Sequence, residues 1–342
     1  MDFLAFFLLF SSISVFSCED TGSEVWATFK VGTPTNLQTT YNKIYKSTKE
    51  EKFRKEIFLK NLQKIEDHNR KYYQNLVTYT MKVNHFADRT DKELYPLRKV
   101  TEKSRTKISK PIPKTDAPES IDWRDFGVIT PIVDQAYCES CWAFAVVAAI
   151  EAHVGIYLGR KNETLSQQNL VDCVNPTFEC HQDMESHATL EDSYRYIIDN
   201  GGIDTAESYP YEAMTGNGCR FNPNTVGAKV QDYVTINEGD EDALKTVVGT
   251  IGPVSVIIST DFTFIMYSNG VYYKENCTYD TRLPYNHAVT VIGYGSENGE
   301  DYWLVRNEWG HYFGDDGYIK MARNRDNHCG IATYASYPIV VN

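Results

Sequence analysis

Eight cysteines punctuate the chain, and the compartment that receives it decides what they can be: Cys18, Cys138, Cys141, Cys173, Cys180, Cys219, Cys277 and Cys329. The chain begins MDFLAFFLLFSSISVFSC, wholly apolar from Phe3 to Phe10 with small residues around Ser17. Residues 1–17 read as a secretory signal peptide, although Asp2 stands where Lys or Arg is usual. The apolar stretch is too short for a membrane span, and no later segment is expected to cross a bilayer. Cys18 sits at the cleavage region and can leave with the leader. Seven cysteines then remain in an oxidising compartment, enough for three bridges and one free thiol. Zinc is a poor reading, because there is no second Cys-x-x-Cys and no His pair at finger spacing. No metal or cofactor is expected.

With 342 residues, 42% of them apolar, the chain can build two or three compact parts with a sizeable core. The net charge of -12 argues against a nucleic-acid partner. That charge is unevenly placed. Residues 19–116 hold 21 Lys and Arg against 13 Asp and Glu, net +8, whereas residues 117–342 hold 13 against 32, net -19. A basic front section and an acidic body are expected to dock. Between them, residues 99–116, KVTEKSRTKISKPIPKTD, read as an exposed, cleavable linker. The expected parts are a leader (1–17), a front domain (18–98), the linker (99–116) and the body (117–342).

In the front domain Glu50, Arg54, Phe58, Asn61, Ile65 and Asn69 recur at steps of three or four, one stripe of a long helix. Phe58, Leu62 and Ile65 would supply its buried face. In the body, Trp142, Val146, Ile150, Val154 and Tyr157 mark a second helix, with Ser140 as N-cap and Gly159 as stop. The later half changes character. VSVIIS (254–259), AVTVIGYG (288–295), DYWLVRN (301–307) and GYIKMA (317–322) read as strands of an antiparallel sheet or barrel. A helical lobe beside a sheet lobe makes an α+β protein.

Cys141 falls in the first helical turn, where the peptide dipoles lower a thiol pKa and favour the thiolate. A base is needed beside it. His287 opens a strand-like run, and Asn307 ends another. An Asn side chain can orient an imidazole through its second nitrogen. Gln135 could offer its amide N–H to a developing oxyanion, beside the backbone N–H of Cys141. On these grounds alone a strand histidine is more often structural.

The sequence Cys138-Glu139-Ser140-Cys141-Trp142, with His and Asn well downstream, resembles the nucleophile signature of papain-like cysteine peptidases. The likeness is closest to the cathepsin L group and covers nearly everything after residue 17. The Glu50–Asn69 stripe is similar to that family's inhibitory propeptide motif at all six positions. Asn84-His85-Phe86-Ala87-Asp88 is similar to most of a second one, with Lys82 where Gly is usual. The resemblance implies a two-lobed papain-like fold behind a mainly helical propeptide. It implies a cysteine endopeptidase acting on polypeptides through a thioester acyl-enzyme. Cys141 would be the nucleophile, His287 the base and acid, Asn307 the orienting group, Gln135 an oxyanion donor and Trp309 a cover on the Asn–His bond. The bridges implied are Cys138–Cys180, Cys173–Cys219 and Cys277–Cys329. The propeptide would inhibit by lying through the cleft, and acid would loosen it.

The walls of the cleft depart from the family. Glu139 replaces a Gly, which would be strained if φ there is positive. The Asn-Gly-Gly expected after Cys180 is absent, so Gln182 and Asp183 would rebuild that wall, in a segment that also carries His181 and His187. Tyr334 stands at the base of a substrate pocket where a small residue is usual, and should make it shallower. Ala288, next to the base, would also touch substrate. Glu308 replaces Ser, and Phe313 replaces a second Trp. The alternative is a relative that binds or stores and no longer cleaves. Asn162 and Asn276 head N-glycosylation sequons. The chain is expected to be a monomer in a lysosomal or extracellular space, without stable membrane association.

Overall fold

A computed structural model describes residues 18–31, 41, 43–94, 115–180, 188–277 and 286–342. The leader and most of the linker lie outside these residues. The chain divides into two compact units, residues 1–63 with 87–89, and residues 64–86 with 90–342. The division runs through one helix rather than through residues 99–116.

The first unit contains α1 (Cys18–Val31) and the start of α2 (Thr48–Tyr73). Acidic Glu50 and Glu51 open α2 and basic Arg70 and Lys71 close it, so its charges complement the helix dipole. Phe58 is fully buried, 5.2 Å from the Trp26 ring and 4.6 Å from Phe29. Asn61, also buried, donates to the Ala87 and Arg89 carbonyls at 3.0 and 2.9 Å. Asp88 accepts from Lys43 Nζ at 3.0 Å and Tyr45 OH at 2.9 Å, and its carbonyl accepts from Arg54 at 3.2 Å. The stripe thus joins an apolar core, Phe58 and Ile65, to a polar clamp that includes Arg54 and Asn61. Leu62 is only partly buried, and Ile57 takes the buried place expected for it.

The second unit begins with the end of α2, where the Asn69 side chain bonds both the N–H and the carbonyl of Met81 at 2.8 Å. It continues with β1 (Tyr79–Met81), α3 (Asp91–Leu94), β2 (Ile121–Asp122), α4 (Cys141–Leu158), α5 (Gln167–Cys173), α6 (Leu190–Asn200), β3 (Ile203–Asp204), β4 (Val226–Thr235) and α7 (Glu241–Thr250). Then come β5 (Val254–Ile258), α8 (Phe262–Ile265), β6 (Tyr267–Tyr272), β7 (His287–Glu297), β8 (Glu300–Arg306), β9 (Tyr318–Ala322) and β10 (Tyr334–Val341). One sheet runs β1-β6-β9-β8-β7-β5-β10-β4-β3, with β2 added to β7. It is antiparallel except between β6 and β9, where Val271 and Tyr272 pair in parallel with Lys320 and Met321. The helices are not segregated from it, since α4 packs on β7 and β10, and α6 on β4.

Helix α4 is apolar around nearly its whole circumference, which demands burial on all sides. Contrary to the expectation that no later segment could span a bilayer, its 18 residues are long and apolar enough. Most of that length lies inside the fold, as the core of a lobe shared with Leu165, Leu170, Tyr194 and Val230. Gly159 stops it in the left-handed conformation at φ 69.

His153 lies within that helix, 1% exposed, with Nε2 3.0 Å from the Pro253 carbonyl. Burial pushes its pKa down to about 4, and burial likewise brings His328 to about 4. A depressed folded value means that the unfolded chain binds the proton more tightly. The stability is therefore present above pH 6.5 and lost as pH falls toward 4, on the order of 3 kcal/mol for His153. The urea midpoint of the body should fall over that window, and His153→Phe should flatten the fall. In the first unit, Phe58→Ala should cost about 3–5 kcal/mol, read as an earlier unfolding transition of the front section.

Candidate active site

Three segments converge at the start of α4. The Gln135 N–H donates to the Glu308 carbonyl at 2.9 Å, and the Gly310 N–H donates to the Val133 carbonyl at 3.0 Å. These bonds zip the loop before α4 to the loop after β8. Helix and sheet are also joined directly. The Ala145 carbonyl, one turn into α4, accepts from Ser255 Oγ at 2.9 Å and from Thr290 Oγ1 at 3.2 Å. Thr290 lies three residues beyond His287 on β7, so the helix carrying the thiol and the strand carrying the imidazole share one tie.

Cys141 is the first residue of α4, buried and outside any bridge. Cys138 is bridged to Cys180, Cys173 to Cys219 and Cys277 to Cys329, the three pairings that the resemblance implied. The sulfurs of Cys277 and Cys329 lie close to the His328 ring, but their mutual bond removes them as metal ligands.

His287 Nε2 lies 2.7 Å from Asn307 Oδ1. An amide oxygen accepts, so Nε2 carries the proton and Nδ1 is left for the other side of the ring. The Trp309 ring stacks on the imidazole at 4.4 Å and 25°. Phe264, Phe313 and Phe86 present edges to Trp309 at 5.9, 5.2 and 5.3 Å. Phe313, found where a second Trp was expected, is fully buried and completes this aromatic box. Phe86 comes from the front section. It is set there by Asn84, which donates to the Ile265 carbonyl at 2.6 Å and accepts from the Phe86 N–H at 3.0 Å.

Gln135 donates from its amide nitrogen to the Cys138 carbonyl at 2.7 Å, which leaves one amide proton for another acceptor. Ser140 is the N-cap by position, but its hydroxyl does not cap. It pairs instead with Tyr211 OH at 2.8 Å, and Tyr211 OH reaches the Gln135 carbonyl at 2.9 Å. Tyr211 thus braces the loop before α4 at two points next to the thiol. Nothing in the sequence pointed to it, 70 residues downstream of Cys141.

Glu139 is half-buried, and its φ is not positive, so this replacement of Gly carries no backbone strain. The left-handed residue is Ala136, at φ 54, at a cost of about 1 kcal/mol. Tyr334 opens β10 half-buried against the lobe core, which includes Ile257 and Ala288. Ala288 itself is 2% exposed, leaving little side-chain surface for a ligand. Gln182, Asp183, His181 and His187 lie outside the described residues. Asn162 sits exposed in a turn at φ 62, and Asn276 is exposed beside bridged Cys277.

Glu308, flagged in the sequence only as a replacement of Ser, is 4% exposed with Oε1 3.1 Å from His287 Nε2. Burial pushes its carboxyl well above the usual range, against the pull of Arg306, and nearby Asp134 adds to the rise.

A free thiol opening a helix, and an imidazole oriented by an amide under an indole on a strand tied to that helix, are the equipment of a cysteine hydrolase. Residues 117–339 match the papain family cysteine protease, and residues 36–94 match the cathepsin propeptide inhibitor domain I29. The chain is 44% identical over 303 residues to digestive cysteine proteinase 1 of Homarus americanus, spanning 88% of this chain and 92% of that one. It is 42% identical to a cathepsin L-like peptidase of Aedes aegypti, covering 93% of each. Its fold matches digestive procathepsin L2 proteinase from the larval midgut of Tenebrio molitor with a TM-score of 0.82 and 40% identity, over 93% of this chain and 99% of that one. The chain belongs to the papain family of cysteine proteases. It is a cysteine endopeptidase carrying an I29 propeptide, and so a zymogen.

The pairing predicts that the body, denatured without reductant, titrates one thiol per chain with an aromatic disulfide reagent. Three thiols would mean an open bridge.

Proposed function

We propose that Cys141 is the nucleophile of an endopeptidase released by acid, with a shallow pocket for the second residue before the scissile bond. The observation that carries this is the His287–Asn307 bond, shielded by Trp309 and borne by a strand that is tied to the thiol helix through Thr290 and Ala145. The Cys141 thiolate attacks the scissile carbonyl carbon, and the carbonyl electron pair moves onto oxygen. The free amide proton of Gln135 and the Cys141 backbone N–H receive that oxyanion. Collapse breaks the C–N bond, and the imidazolium of His287 gives its Nδ1 proton to the leaving amine. Water, deprotonated by His287, then cleaves the thioester and returns the thiol. Asn307 keeps the ring in register, and Trp309 keeps water from their bond.

The front section supports the zymogen reading at this site. Phe86 lies against Trp309, and β1 pairs with β6. Lys82 Nζ donates to the Gly314 carbonyl at 2.6 Å and feels the charges of Asp315 and Asp316, while burial lowers its own pKa. In the first unit Asp88 holds Lys43 and Tyr45. Protonating these carboxylates removes charges that both anchors use, so inhibition weakens as pH falls. Tyr334 narrows its pocket and favours small side chains there, and Glu139 adds a carboxylate on the non-primed side. A secretory route to a lysosome or a digestive lumen fits the digestive and cathepsin relatives.

The test is turnover of a blocked dipeptide amide library after acid treatment of the purified zymogen. Turnover should appear after acid and vanish in Cys141→Ala. Tyr334→Ala should admit larger residues. Turnover that survives Cys141→Ala, or equal release at neutral and acid pH, would sink the corresponding part of the reading.

A further inference from the structure

We propose that Glu308 is a second positioning residue for His287, a buried counter-charge that shares the imidazole nitrogen held by Asn307. This deepens the nucleophile–base reading above and rests on it. Two oxygens converge on His287 Nε2, Asn307 Oδ1 at 2.7 Å and Glu308 Oε1 at 3.1 Å. Both side chains of the pair are shut off from water, at 4% and 5% exposure. Among the described residues Glu308 Oε1 has no hydrogen-bond donor, and its contact with the imidazole nitrogen is that of an ion pair. A buried carboxylate oxygen without a donor is costly, so its placement is informative.

The charges facing Glu308 come from every side. Arg306 on β8 is attractive, but its guanidinium also serves Glu151 of α4 at 3.9 Å and the Pro131 carbonyl at 2.6 Å. Asp134, on the loop before α4, is repulsive, and Tyr211 feels both Glu308 and Cys141. The cation in contact with Glu308 Oε1 is therefore the imidazolium of His287. Burial resists ionisation of Glu308 alone. Carboxylate and imidazolium thus form together and titrate as a unit. The sign follows. An amide oxygen only accepts a hydrogen bond, whereas a carboxylate favours the charged ring. The imidazolium keeps its proton to higher pH, and the thiolate–imidazolium pair of Cys141 and His287 persists with it.

The experiment compares acid-processed wild type, Glu308→Gln, Glu308→Ser and Glu308→Asp. It reads kcat/KM and the rate of Cys141 alkylation by iodoacetamide against pH. The alkaline pKa of kcat/KM should fall by about one unit in Glu308→Gln and Glu308→Ser, and return toward wild type in Glu308→Asp. The Ser variant is much smaller and carries the measurement should the Gln variant not fold. A purely structural role would lower the plateau and leave the alkaline limb in place, and that result overturns the proposal. A wild type without Cys141-dependent turnover would overturn the parent reading as well.

Discussion

The burial of α4 is the constraint on which the site depends. A helix apolar on nearly every side can only be the centre of a lobe, and its first residue is Cys141. Packing the helix therefore aims the thiol. Two hydroxyls, Ser255 and Thr290, fasten its first turn to β5 and β7 through the Ala145 carbonyl. The Cys138–Cys180 bridge anchors the chain just before it. The thiol thus opens a deeply packed helix, while His287 stands on a strand and Asn307 just beyond the end of another.

Much of this was legible in the chain. Period-four apolar spacing marked α2 and α4, and alternating or continuous apolar runs marked β5, β7, β8 and β9. Those signals are local, and local pattern reports them well. The parallel pairing of β6 with β9 was not legible, because register between distant strands leaves no local trace. The role of Tyr211 escaped for the same reason. Whether Glu139 carries strain could not be read from the sequence, since a replaced glycine says nothing about φ until the turn is seen, and the left-handed residue is Ala136. The front section and the body were read as two parts, yet residues 64–86 pack with the body. Charge could suggest association, but the strand pairing that assigns those residues is a tertiary fact.

Glu308 places a buried acid between the two residues that hold the imidazole. Asn307 accepts from His287 and Trp309 stacks on it, on either side of Glu308 in the chain. Arg306 lies between two buried carboxyls, Glu151 and Glu308, and cannot fully satisfy both. Glu151 has other donors, Thr130 and the Leu165 N–H, whereas Glu308 turns to the imidazole. The electrostatic demand of a buried acid is thereby met at the reacting pair.

One end strand of the sheet, β1, belongs to the part of the chain that matches the I29 propeptide. β1 meets β6 through Tyr79–Gly270 and Thr80–Asn269, and a Cβ on Gly270 would stand 2.4 Å from the Thr78 carbonyl, so this seam requires glycine. Were that segment to leave, β6 would keep β9 on one side and lose its partner on the other, an edge of N–H and C=O groups that an extended polypeptide could pair with.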